Sequence, residues 1–186
     1  MDIFIARQGI YDKNGKVVAY ELLYRNSMKN SYNPLVEDDV STYKVIENIS
    51  SFGLDILTNK KRAFVNFSEA LIMKDIATLL PKENVVIEVL ETVNPSEEII
   101  NKLLSLKDLG YYIALDDVVE VEHIVKFIGV IDIVKVDFRL ATSEARKKIA
   151  YICNKYNIDM LAEKVETSEE LNEAKELGYI YFQGYY

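Results

Sequence analysis

The sequence predicts an α/β fold. Three observations carry this reading: short apolar runs alternate with helical stretches, the runs are near-continuously apolar, and most of them end on an ionisable or amide side chain. Such alternation indicates βαβ units and a parallel sheet. Strands that are apolar throughout are expected where helices cover the sheet. The 186 residues suffice for a sizeable core, and no Pro/Gly/Ser-rich break divides them, so residues 1–186 are expected to form a single domain. A full (β/α)8 barrel typically takes about 250 residues, so the chain is short for one.

The first element is a hairpin. IFIARQGIY and VVAYELLYR flank Asp12-Lys13-Asn14-Gly15, and Asn-Gly between apolar runs is a strong hairpin signal. The polar stretch NSMKNSYNPLVEDD then reads as an exposed loop. A helical stretch from about Val40 to Leu57 leads to AFVNF, and SEALIMKDIATLL leads to NVVIEVLE. PSEEIINKLLSLKDLG has apolar residues at helical spacing, with Pro95-Ser96 as its start and Gly110 as its stop, and leads to YYIALDD. VEVEHIVKFIG precedes IDIVKVDF, and TSEARKKIAYICNKYN precedes IDMLAEKVE. Last, TSEELNEAKELG, with Thr167 and Glu170 spaced for a capping box, precedes YIYFQGYY.

Composition narrows the chemistry. Lys and Arg number 22 against 30 Asp and Glu, a net charge of −8, which argues against a nucleic-acid duplex as partner. The single histidine, His123, excludes a multi-histidine zinc site. The single cysteine, Cys153, excludes an intrachain disulfide framework and fits a reducing, cytoplasmic location. Both read as packing residues, and Arg146-Lys147-Lys148 reads as a solvated helix face. No apolar run approaches the ~20 residues of a membrane span, and the N-terminus lacks a signal-peptide layout. The chemistry must therefore rest on carboxylates, amides and lysine.

Those groups fall at the carboxyl ends of the predicted strands. The runs reach Glu21, Asn66, Glu88 with Glu91 just beyond, Asp116-Asp117, Lys135 and Asp137, Glu163 and Glu166, and Gln183. In a closed α/β barrel such ends converge on the face that carries the active site, and open sheets bind ligands there too. Lys135 and Asp137, two apart, share a face. Buried charges need a partner or a metal, and an all-oxygen donor set suits Mg²⁺, Mn²⁺ or Ca²⁺. The adjacent Asp116 and Asp117 could bridge two ions, as in two-metal phosphoester chemistry. Lys135 could then hold a developing oxyanion or a water, and Glu163 could accept a proton. The bland alternative for an isolated acid at a strand end is a helix cap or a solvated loop residue, and it applies to Glu91, Asp137 and Glu166.

The motifs in this order resemble the EAL domain, a bacterial signalling barrel that hydrolyses cyclic di-GMP. Glu-Ala-Leu appears as Glu21-Leu22-Leu23, Asn-x-Ser as Asn66-Phe67-Ser68, and Glu-x-x-Glu as Glu88-Val89-Leu90-Glu91. The Asp pair is Asp116-Asp117 and Lys-x-Asp is Lys135-Val136-Asp137. Ala-Glu-Gly-Val-Glu becomes Ala162-Glu163-Lys164-Val165-Glu166, and Gln-Gly-Tyr is Gln183-Gly184-Tyr185. The opening residues and the AEKVE variant look closest to the branch that joins an EAL-like domain to a C-terminal HDOD domain. The resemblance implies a TIM-like (β/α) barrel that starts with a β-hairpin and is truncated before its final helix, which in turn suggests self-association through the uncovered strip, as a homodimer. It implies a Mg²⁺- or Mn²⁺-dependent phosphodiesterase yielding linear pGpG. Metal ligands would be Glu21, Asn66, Glu88 and Asp116, with Asp117 on a second ion. Lys135 would position the nucleophilic water, Glu163 would act as base, and Gln183 would support the metal site. Glu91 would steady the loop after the Asp pair, Glu166 would lie near the metal–water network, and Arg25 would meet the ligand's phosphate. Tyr185 or Tyr186 could stack on guanine.

Two positions depart from the family pattern. The glycine- and hydroxyl-rich loop after the Asp pair is replaced by Val118-Val119-Glu120-Val121-Glu122-His123-Ile124, and Lys164 stands in place of the motif's glycine. These changes bear on the second metal and on turnover. They leave a non-catalytic receptor or protein-interaction module as the alternative function. A Schiff-base enzyme using Lys135 is the third option, disfavoured because neighbouring carboxylates keep the lysine protonated.

Overall fold

The computed structural model describes residues 4–25 and 38–184. The polar stretch after Arg25, up to residue 37, and Tyr185-Tyr186 lie outside the described residues. Eight strands close into a barrel in chain order. They are β1 (Phe4–Asp12), β2 (Val17–Arg25), β3 (Arg62–Phe67), β4 (Val85–Val89), β5 (Tyr112–Val118), β6 (Ile133–Asp137), β7 (Asp159–Val165) and β8 (Tyr181–Gly184). The connecting helices are α1 (Asp38–Phe52), α2 (Leu54–Thr58), α3 (Glu69–Met73), α4 (Glu97–Asp108), α5 (Val121–Val125), α6 (Ser143–Tyr156) and α7 (Ser168–Leu177). Strands β2 to β8 run parallel, as expected from the βαβ pattern. β1 is reversed: the Asn14-Gly15 turn makes it antiparallel to β2, and it also closes the barrel antiparallel to β8. The chain closes eight strands at this length because β1 needs no crossover helix and α2, α3 and α5 have only five residues each.

The strands bury two separate cores. Ile10, Ala19, Phe64, Val86, Ala114, Ile133 and Leu161 fill the barrel interior, with Tyr181 packed against them. Residues of the opposite parity, such as Val65, Ile87, Leu115, Val134 and Ala162, meet Ile99, Leu103, Ile149 and Cys153 of the helices. Both strand faces are thus covered, which explains the missing in–out alternation. His123 packs edge-on against Phe127, 5.6 Å between ring centres, and burial pushes the Cys153 thiol up to about 12. Both act as packing groups.

Local signals set the helix ends. Ser68, Ser96 and Thr142 each accept a hydrogen bond from a first-turn amide, and Thr167 forms the expected capping box with Glu170. Such caps contribute about 1 kcal/mol each. The helix expected as one stretch to Leu57 is broken by Gly53, whose φ of 83° lies in the left-handed region and separates α1 from α2. Arg146 corrects a second expectation. It is not on a solvated face: its guanidinium lies over the Phe138 ring at 4.1 Å, pairs with Glu173 at 2.6 Å and donates to the Phe138 carbonyl. An α6 position facing α7 can bury this side chain because Glu173 supplies the counter-charge. Among the described residues, no helix is long and apolar enough to cross a membrane.

The barrel seam between β7 and β8 is tight. A Cβ on Gly184 would stand 2.0 Å from the Val165 carbonyl oxygen. Gly184→Ala is therefore expected to pry β8 from β7 and to destabilise the fold by about 1–3 kcal/mol, read as a lower urea midpoint. An unchanged midpoint would show that the seam relaxes freely.

Candidate functional site

The carboxyl ends of the parallel strands carry one layer of polar side chains, directly above the interior apolar core. Each member follows an interior apolar residue by two positions: Ala19 and Glu21, Phe64 and Asn66, Val86 and Glu88, Ala114 and Asp116, Ile133 and Lys135, Leu161 and Glu163, Tyr181 and Gln183. Period two along a strand puts both members of a pair on the same face. Glu21, Glu88, Asp116, Lys135, Glu163 and Gln183 are all buried. The structure thus brings together the strand-end residues that the sequence singled out.

Lys135 is the hub of this layer. Its Nζ lies 2.8 Å from Asp116, 2.9 Å from Glu163 and 3.8 Å from Glu21, and it also pairs with Glu88. Gln183 donates to Glu21 Oε2 at 2.7 Å and Asn66 reaches Glu21 Oε1 at 3.5 Å. Among the described residues, Asn66 Oδ1, Glu88 Oε2, Glu163 Oε2 and Gln183 Oε1 are buried oxygens without a hydrogen-bond donor. Buried acceptors are normally satisfied, and an oxygen-lined cluster of this kind suits a hard divalent cation. Glu21, Glu88 and Glu163 each offer a carboxylate oxygen within 4.8 Å of the others, and so do Glu91, Asp116 and Asp117.

Charge crowding shifts the acids. Burial, then the Glu163, Glu21 and Asp117 charges, push the Asp116 carboxyl well above its usual range. Burial likewise raises Glu163, opposed by Lys135 and reinforced by Glu21.

Beside this layer lies a second charged group that the sequence reading did not assemble. Two register shifts create it, one in β5 between Leu115 and Val118 and one in β7 between Ala162 and Val165. In each, three steps on one strand oppose two on its neighbour, which is a bulge that re-aims a side chain. Asp117 (φ 46°) and Lys164 (φ 54°) sit in these bulges in the left-handed region. Lys164 Nζ bonds Asp117 Oδ1 at 2.7 Å and Asp137 Oδ2 at 2.5 Å. Burial works against the Lys164 ammonium, but the hydrogen bonds to Asp117 and Asp137 outweigh it and hold the group above the usual lysine range. Asp137 also accepts from the Arg139 and Leu140 amides. Burial opposes its charge, but Lys164 and these amides hold its carboxyl below the usual range. Lys164, next to Glu163 in sequence, takes as its partners the carboxylates on the two preceding strands. The one available signal was a lysine at a position where the family motif has glycine.

Two other residues fall differently. Glu91, exposed, lies beside the Asp116-Asp117 pair. Glu166, the first residue past the end of β7, is exposed and pairs with Arg139. Arg25 closes β2, and its side chain lies outside what the structure describes.

Comparison with known proteins places the barrel. The family model described as "EAL domain" matches residues 38–186. The chain belongs to the EAL family. It is 38% identical over its whole length to the uncharacterised protein YuxH of Bacillus subtilis strain 168. It is 32% identical, over 98% of its length, to the cyclic di-GMP phosphodiesterase CdgJ of Vibrio cholerae. It spans 47% and 43% of those two proteins, less than half of either. Its fold is similar to that of the Bacillus subtilis YkuI protein, which has an EAL domain and was solved with cyclic di-GMP and calcium: TM-score 0.76, 20% identity, 98% of this chain and 54% of that one. The EAL barrel expected from the motifs is thus the fold of this chain.

The raised acids of this EAL mouth set a pH dependence. Groups whose folded pKa lies above the unfolded value stabilise the fold fully at low pH and lose that contribution as pH rises through the folded pKa. For Asp116 and Glu163 the metal-free chain is therefore expected to lose melting temperature as pH rises above the ordinary carboxylate range, and Mn²⁺ is expected to flatten the decline. Thermal melts in chelator and in Mn²⁺ check this; a metal-free melting temperature that climbs with pH above that range would contradict it.

Proposed function

We propose that this EAL domain binds cyclic di-GMP across the mouth of its barrel and hydrolyses one phosphodiester to give linear pGpG. The observation that carries the reading is the buried polar layer, four carboxylates around the single ammonium of Lys135, with further oxygens that lack donors. Glu21, Asn66, Glu88 and Asp116 would hold one Mg²⁺ or Mn²⁺ ion. The calcium and cyclic di-GMP bound by YkuI, and the activity named for CdgJ, support the same reading.

A divalent cation at these oxygens would supply Lewis acidity, lowering the pKa of the attacking water and offsetting phosphate charge. The chain's own residues do the rest. Glu163, raised by burial and close to Lys135, takes the proton of the attacking water, the task to which a raised carboxyl is suited. The Lys135 ammonium fixes the orientation of Glu163 and of the water. Gln183 holds Glu21 in place through its 2.7 Å hydrogen bond. Arg25, the last residue of β2, would meet a phosphate, which a guanidinium can do in bidentate fashion. The water oxygen bonds to phosphorus, the bond to the ribose oxygen breaks, that oxygen takes a proton from solvent, and Glu163 releases to solvent the proton it accepted.

With cyclic di-GMP and Mn²⁺ or Mg²⁺, pGpG is expected to form, and Glu163→Gln is expected to lower kcat about 10²–10⁴-fold. Glu21→Ala is expected to abolish both metal dependence and turnover. Activity that survives both substitutions would overturn the assignment. A second reading, a receptor that binds without turnover, is favoured by the pairing of Asp117 with Lys164. Calorimetric binding without product in saturating Mn²⁺ would select it.

A further inference from the structure

We infer that Lys164 is a built-in cation that takes the place of a second divalent ion at Asp117, so that the mouth of this barrel admits one ion rather than two. The inference rests on the reading that Glu21, Asn66, Glu88 and Asp116 hold the first.

The cluster that a second ion would use is Glu91, Asp116 and Asp117, whose carboxylate oxygens lie within 4.8 Å of one another. Two of its three members already hold an ammonium. Asp116 Oδ1 receives Lys135 at 2.8 Å, and Asp117 Oδ1 receives Lys164 at 2.7 Å. An incoming divalent ion would share these carboxylates with two positive charges, and the close like-charge pair would be repulsive. Lys135 is buried in the first site, so any room for a second ion depends on Lys164.

The position of Lys164 is held by more than Asp117. Its second partner, Asp137, lies on the strand between the two bulges, has a buried side chain, and is itself tied down by the Arg139 and Leu140 amides. Moving the Lys164 side chain out of the mouth altogether would leave the buried Asp137 carboxylate short of its counter-charge. The Lys164 backbone is also fixed, since β7 resumes its ladder at Val165 immediately after the bulge. The half-exposed Lys164 side chain is therefore held at this place by its two carboxylate partners, above a backbone that the sheet fixes.

A φ of 54° at Lys164 is a conformation that glycine adopts freely. Lys164→Gly therefore removes the cation without imposing backbone strain. Lys164→Met removes the charge at similar volume.

The test is a Mn²⁺ titration of the chain followed by the electron paramagnetic resonance signal of free Mn²⁺, with circular dichroism to check folding. The native chain is expected to bind one Mn²⁺, and both Lys164→Gly and Lys164→Met to bind two. Two ions in the native chain, or one in all three, would overturn the role of Lys164 and leave the first site standing. Two in the glycine variant but one in the methionine variant would assign the effect to bulk and overturn the charge argument. No ion in any of the three would overturn the first site along with it. Should the glycine variant not fold, the methionine variant decides alone.

Discussion

One buried ammonium governs how the mouth of this barrel is built. Lys135 is 1% exposed, and an ammonium taken that far from water is tolerated only when it is paired and hydrogen-bonded. Glu21, Glu88, Asp116 and Glu163 provide the pairing. Four carboxylates exceed what one lysine needs, leaving a formal excess of three negative charges in a nearly dry space. Two further features follow from that imbalance: the raised carboxyls of Asp116 and Glu163, and the buried oxygens that find no donor among the described residues. The apolar layer of Ala19, Phe64, Val86, Ala114, Ile133 and Leu161 beneath keeps water from relieving the charge from below.

The strand-end residues were legible because strand geometry is simple. Once AFVNF, VVIE and IVKVD are read as strands, period two places Asn66, Glu88 and Lys135 on one face, and parallel direction brings their ends together. The Asn14-Gly15 hairpin and the Thr167 capping box were legible for the same reason, since both depend on neighbours within a few positions. The hairpin reverses β1, but its closure of the barrel against β8 joins residues more than 160 apart in sequence, and no local pattern encodes that. Arg146 was misread because its counter-ion lies on a different helix.

The bulges were the least legible feature. A regular strand would send Asp116 and Asp117 to opposite faces. The extra residue in β5, with Asp117 in the left-handed region, lets both contribute at the mouth. The matching irregularity in β7 does the same for Glu163 and Lys164. Neither residue type demands this conformation, although aspartate tolerates it better than lysine. The backbone is set by the fit of three neighbouring strands, and the ion pairs of Lys164 with Asp117 and Asp137 hold together what the bulges present. The altered Val118–Ile124 segment continues this pattern: Val118 is a fully buried strand residue, so the chain leaves the Asp pair along the sheet rather than through a glycine-rich loop.

The reversed first strand has a practical meaning for anything attached to the chain. Phe4 pairs with Arg25, at the carboxyl end of β2, and β8 runs parallel to its neighbour toward the same rim, ending at Gly184. The first and last described residues therefore leave the barrel on the face that carries the polar layer. A label attached beside Phe4 or Gly184 would stand over that layer. The Lys13-Asn14 turn, exposed on the opposite rim, offers an attachment point that leaves the mouth open.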